Sequence, residues 1–218
     1  MTEHAGPDTA GAPRTSRARA IIVVTLGLAV TGALVGGLWA WIAPSIHAVV
    51  ALNRAGERVH DYLGSESENF FVAPFLLLGL LNTVAVVAAV LVWLWRVHRG
   101  PAMVVGLCVG LMVAAAAAAG VGALLVRLRY GALDFDTVPL LANADHGLTY
   151  VIEAPPVFFA RAPLQVVATL LSPAAVAALV YALIAAGTAR DDLGGYPSAN
   201  QPSNPLTVAP GAPEAAVS

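Results

Sequence analysis

The sequence predicts an all-α fold, a polytopic membrane protein whose four transmembrane helices form two hairpins. Three observations lead there. Of 218 residues, 58% are hydrophobic and only 11% are charged, against about one quarter charged in an ordinary soluble domain. The mean hydropathy is +0.77. The apolar residues gather in four long blocks that contain no Asp, Glu, Arg, Lys or His, not in the periodic stripes of a soluble helix.

The blocks justify themselves in order. Residues 1–19 are rich in Ala, Gly, Pro and Thr and end in Arg14, Arg17 and Arg19; so few large apolar groups predict a disordered cytoplasmic N-terminus. Residues 20–43 form the first span, long enough for the roughly 30 Å hydrocarbon core at about 1.5 Å per residue. The block exceeds the apolar region of a signal peptide, and Trp39 and Trp41 stand where small residues would mark cleavage. A retained helix is therefore expected. Pro44 ends it, and the polar loop 44–69 follows. Within that loop, IHAVVALNRAGERVHDYL spaces Ile46, Val49, Val50, Leu52, Val59 and Leu63 by threes and fours often enough to predict an amphipathic helix on the membrane surface. The second span is 70–95, with Pro74 in its first turn, where a missing N–H does no harm. RVHRG then leaves so short a link to the third span, 101–126, that the two should be antiparallel neighbours. The second long loop, 127–161, ends in the alternating LTYVIE, a short strand candidate. The fourth span, 162–187, carries Pro173 at mid-length, an expected kink, and 188–218 reads as a disordered cytoplasmic tail rich in Pro, Asn, Ser, Ala and Gly.

Arginine placement sets the expected orientation, both termini cytoplasmic in the plasma membrane and both long loops outside. Three arginines precede the first span, and Arg96 and Arg99 crowd the short link, whereas Arg54, Arg58, Arg127, Arg129 and Arg161 are spread over long loops. Trp39, Trp41, Trp93 and Trp95 mark the span ends as an aromatic belt. Both halves read span, long loop, span. GLAV at 27–30 and GLCV at 106–109, with FFVAPF at 70–75 and FFARAPL at 158–164, suggest a parallel internal repeat.

Small residues one turn apart are the strongest packing signal. Gly32 with Gly36, and Gly106 with Gly110, are GxxxG pairs, and Ala116 with Gly120 and Ala118 with Gly122 extend the smooth face of the third span. Packing within the chain is expected from them, with homodimerisation the other outcome. No ionisable group stands inside a span to mark a proton path. Asn82 and Gln165 are the candidates for a polar intramembrane site, or for hydrogen bonds between helices. The outer loops hold His60 with Asp61 and Asp145 with His146, pairs that could serve as a metal site or a general acid and base only if they converge. Neither has a recognised ligand spacing. The sequence contains no phosphate-cradling glycine loop, zinc spacing, haem motif or nucleophile elbow, so it assigns no catalytic residue, metal or cofactor. A formal charge of -2 gives no reason to expect a nucleic-acid partner, and the single Cys108 allows no internal disulfide.

The Arg-only, Ala/Val-rich spans, the RVHRGP turn, the FFVAPF and FFARAPL junctions and the Pro/Asn-rich tail resemble the uncharacterised four-span membrane proteins of mycobacteria and related actinobacteria. The resemblance covers roughly residues 20–190 and implies a plasma-membrane location but no mechanism. The expectation is a non-enzymatic structural or accessory protein of the cell envelope, set in the lipid bilayer and using its outer loops to bind a membrane or envelope protein, or lipid. A small oligomeric transporter or channel using Asn82 and Gln165 is the first alternative. A lipid-modifying membrane enzyme acting through His60, Asp61, Asp145 and His146 is the second.

Overall fold

The computed structural model describes residues 16–96, 99–140, 142–143 and 146–188. The expected tails fall almost wholly on 1–15 and 189–218, outside the described residues. Helix α1 (Arg17–Ile42) starts after Ser16, whose hydroxyl oxygen accepts the Arg19 N–H at 3.3 Å, as a capping serine should. Helices α2 (Asn69–Leu94), α3 (Pro101–Tyr130) and α4 (Pro163–Ala186) follow, the last two opening on proline, whose missing N–H is unneeded in a first turn. All four are long and apolar enough to cross a membrane. Helix α3 overruns its expected end, so Arg127 and Arg129 ride on its last turn and not in the loop. The outward faces are apolar: Leu26, Leu34, Leu91, Val105, Leu179 and Leu183 are all exposed. Leaving such side chains in water would be unfavourable, and facing lipid costs them nothing.

The helices do not pair as sequential hairpins. Helix α1 packs most extensively on α3, and α2 on α4, with α3 also against α4 and only slight contact between chain neighbours α1 and α2 or α2 and α3. Gly32 lies against the Ala114 backbone and Gly36, one turn on, against that of Ala118, so α1 and α3 run parallel. Asn82 meets Ser172 and, further along, Trp93 meets Tyr181, which makes α2 and α4 parallel too. In lipid, helices associate where backbones approach closest; the small-residue faces of α1 and α3 therefore find each other across the chain. The short link is instead secured by Arg99, whose Nε donates to the Trp93 carbonyl at 2.7 Å while its guanidinium lies 4.3 Å from the Trp93 ring centroid. The paired tryptophans also divide between interior and surface. Residues two apart on a helix point about 200° apart, so Trp39 and Trp93 are buried while Trp41 is exposed and Trp95 sits at the surface.

The fold is mostly helical and not all-α. The segment expected as an amphipathic helix is a β-hairpin, β1 (Ile46–Leu52) and β2 (Arg58–Tyr62), and the alternating stretch before Pro155 is a strand. With β3 (Ala142–Asn143) and β4 (His146–Glu153) they form an antiparallel sheet ordered β2-β1-β4-β3. The apolar residues of 46–52 fit a period of two as well as one near 3.6, and the turn decides between them. Asn53 Oδ1 accepts the N–H groups of Ala55 and Glu57, both at 2.9 Å, and Gly56 takes φ +79°, which closes the reversal. A glycine in that left-handed conformation, after a type I turn, is a hairpin device.

Both long inter-helix segments contribute to this one sheet, since β1 pairs with β2 on one side and β4 on the other. It therefore sits at the end of the bundle where α1 and α3 finish and α2 and α4 begin. Its inner face, including Ala48, Val50 and Val151, is covered by Leu133, Phe135, Val138 and Leu140 from the strap that leaves α3. Arg58 holds the strap, donating to the carbonyls of Val138 at 2.7 Å and Phe135 at 3.3 Å. The two halves share the span–loop–span order, and each loop adds two strands to the sheet, the second adding the strap as well.

Candidate functional site at the junction of sheet and bundle

Period-two alternation sorts the polar residues of β2. His60 and Tyr62 point inward, beside the strap: the His60 ring stacks on Phe135 with centroids 4.3 Å apart, and Tyr62 meets Phe70 edge-on at 5.3 Å. Asp61 between them belongs to the opposite face, its Oδ1 accepting the Tyr62 N–H at 2.8 Å. His60 and Asp61 therefore cannot act on one group, because adjacent strand residues diverge. His146 opens β4, its backbone paired with Asn143, while Asp145 lies outside the described residues. Among the described residues no three His, Cys, Asp or Glu side chains gather to hold a metal.

Across the sheet, Glu153 is opposite Ile46 at the inner end of β4, just before the chain turns into Pro155 and Pro156. Its Oε2 is buried and has no hydrogen-bond partner among the described residues. Burial pushes the Glu153 carboxyl above its ordinary range, while the charges of His60 and Arg161 and the nearby Tyr62 hydroxyl pull the other way without prevailing. The Tyr62 hydroxyl is raised as well, by its own burial first and by Glu153 second. A cavity of ≈ 570 Å³ opens here, lined by Arg127, Glu153 and Arg161 and by Phe70, Phe158 and Phe159. Gly131, with φ +75°, ends α3 at its wall.

The linkage gives a sign. A proton bound more tightly by the folded Glu153 carboxyl than by the unfolded one stabilises the fold below the ordinary carboxylate range, and that contribution is lost as pH rises through the raised value. Glu153→Gln is therefore expected to raise the melting temperature at pH 8 and to change it little at pH 4. A difference from the parent that is equal at both pH values would contradict the buried-carboxylate account.

Near the same corner, His47 Nδ1 lies 2.6 Å from Glu66 Oε2, which also accepts the His47 backbone N–H. This clasps β1 to the 3-10 turn before α2. Asn82 and Gln165 are not brought together. Asn82 Oδ1 accepts the Ser172 hydroxyl at 3.2 Å, a bridge between α2 and α4. Gln165 is exposed two turns earlier on α4. On the α1–α3 seam, a Cβ at Gly106 would meet Ile21, one at Gly110 would meet Leu28 and Thr25, and one at Gly122 would meet Trp39. Gly120 is exposed with open space beside it, so it takes no part in the seam; Gly122 occupies that turn instead.

Sequence reasoning weighed Arg127 and Arg161 only for orientation and passed over Glu153. The signal was available in LTYVIE, whose alternation puts Thr149, Val151 and Glu153 on one face, the same face as the buried Val151. A carboxylate on the apolar face of a strand, immediately before a membrane-facing segment, is out of place unless something answers it.

These features define a class: four membrane-length apolar helices, paired in parallel across the chain, with one small antiparallel sheet made from both long connections. The chain belongs to the family described as "Protein of unknown function (DUF2567)", whose profile matches residues 28–195. It is 71% identical over 193 residues to an uncharacterized protein of Mycobacterium tuberculosis and to one of Mycobacterium bovis, covering 88% of this chain and 100% of each relative. An uncharacterized protein of Mycobacterium leprae is 64% identical over 195 residues, covering 89% of this chain and 98% of its own. No solved structure matches the chain.

Proposed function

We propose that this chain is a multi-pass plasma-membrane protein with a non-enzymatic, accessory role in the cell envelope, and that its sheet is the part that engages a partner protein or lipid outside the membrane. One observation carries the reading: both long inter-helix segments are spent on a single sheet, at one end of four helices that present leucine and valine outward. Among the described residues the other end has, between helices, the short 95–100 link from α2 to α3. Among the described residues the folded surface lies at one end, which marks that end as the binding side. The crowding of Arg96 and Arg99 at the other end supports placing it, with both termini, in the cytoplasm.

Labelling of single cysteines from outside intact cells tests this, in a Cys108→Ala background with Ser65→Cys, Asp136→Cys or Ser203→Cys. Ser65 and Asp136 are exposed at the sheet end. The expected result is labelling at 65 and 136 and none at 203. Labelling at 203 alone would put the sheet in the cytoplasm, and recovery of the chain in the soluble fraction would remove it from the membrane altogether.

A further inference from the structure

The cavity beside the sheet has a chemically mixed lining. Its lining combines the charged Arg127, Arg161 and Glu153 with the aromatic Phe70, Phe158 and Phe159, which lie in sequence at or just before the starts of α2 and α4. Among the described residues neither guanidinium makes an ion pair or hydrogen bond, and Glu153 Oε2 is buried without a partner. Buried polar atoms are nearly always satisfied, and one that is not calls for an explanation. Two cations of the kind that fork around phosphate oxygens, an acceptor that lacks a donor, and aromatic rings in the lining together describe one kind of occupant.

We propose that this cavity binds a phosphodiester headgroup that carries a hydrogen-bond donor: the phosphate on Arg127 and Arg161, and a hydroxyl or ammonium on Glu153. With a hydroxyl-bearing headgroup the charge closes, since two guanidiniums and one carboxylate leave one positive charge for one phosphodiester; an ammonium brings a positive charge of its own to the Glu153 carboxylate. A cavity of ≈ 570 Å³ is of ligand-binding size, within the roughly 300–1,000 Å³ usual for small-molecule sites. It takes a headgroup, and hydrocarbon chains would leave it past Phe158 and Phe159 toward the outward apolar faces of the helices. This inference rests on the membrane reading above, which puts the junction of sheet and bundle at the depth of lipid headgroups.

Full-length protein purified in detergent micelles is the material, with binding read by native mass spectrometry against micelles doped with phosphatidylglycerol, phosphatidylethanolamine or phosphatidylcholine. The first two carry a donor and the third does not. Retention of both donors over phosphatidylcholine by about tenfold or more is expected, the size of one charge-assisted hydrogen bond. Arg127→Gln with Arg161→Gln should bring phosphatidylglycerol down to the phosphatidylcholine level, and Glu153→Gln should erase the preference for a donor while leaving phosphate binding. A cooperative transition that melts no lower than the parent's verifies that each variant folds. Competition by glycerophosphoglycerol, the same headgroup without chains, would make the natural source a soluble phosphodiester, and its failure to compete would make the source a lipid; the site stands in both. Equal retention of all three lipids by the parent protein, or retention indifferent to the arginines, overturns the site. Membrane-bound protein without headgroup preference refutes the cavity alone, whereas a soluble protein refutes the membrane reading beneath it.

Discussion

Replacing Gly32 or Gly36 by leucine is expected to pry α1 from α3 and to lower stability by about 3 kcal/mol, the upper end of overpacking costs. A Cβ at position 32 would lie 2.6 Å from the Ala114 Cα, and one at position 36 would lie 2.9 Å from the Ala118 Cα. The obstacle is the opposing backbone, which cannot swing aside as a side chain can, so the helix axes must separate. Separation then removes the closest packing in the bundle, and no hydrophobic drive operates in lipid to restore it. Thermal unfolding followed by circular dichroism in detergent should show a fall of about 6–12 °C, at roughly 2–4 °C per kcal/mol for a chain of this size. Gly120→Leu supplies the contrast. It belongs to the same run of small residues but faces open space, so its change should stay within about 0.5 kcal/mol. Equal losses at positions 36 and 120 would show that α1 does not lie where the seam puts it.

That contrast also marks how far the sequence could be read. The spans were legible because the property that defines them, some twenty residues without charge, is local and needs no partner. Partner choice is not local. Gly106, Gly110, Ala114, Ala118 and Gly122 advance by four along α3 and form one row, yet nothing in the row says that it meets α1 and not the chain-adjacent α2. The hairpin was misread for a different reason. Over a few turns, Ile46, Val49, Val50 and Leu52 satisfy the helical and the strand period alike. The punctuation Asn53–Arg54–Ala55–Gly56 carries the answer, since it closes the turn between β1 and β2. Once β1 and β2 exist, β4 completes a sheet, and only then do Glu153, Arg127 and Arg161 acquire a common cavity. The candidate site is thus a product of tertiary pairing between two loops far apart in sequence. His60 and Asp61 illustrate the converse, since their adjacency in sequence is what parts them in a strand.

Trp39→Ala is expected to cost about 3 kcal/mol or more, the low end of large aromatic truncations in packed cores. The ring is fully buried and sits where three helices meet: its edge contacts Gly122 on α3, and its indole N–H donates to the Ala73 carbonyl on α2 at 2.7 Å. Transfer from water contributes little to a residue inside a lipid-embedded bundle, so the loss comes from the cavity and from forfeited dispersion contacts. Trp39→Phe separates the two roles. It keeps most of the ring volume and removes the donor, and about 1 kcal/mol is expected for the hydrogen bond. Trp41→Ala, two residues on and 76% exposed, should leave the stability within about 0.5 kcal/mol of the parent. The three variants share one helix and one lipid depth, which cancels effects of membrane position. If Trp41→Ala were as damaging as Trp39→Ala, the tryptophans would be acting as a common interfacial belt. If only Trp39 matters, it is the pin that sets α1 against α2 and α3, directly beneath the sheet.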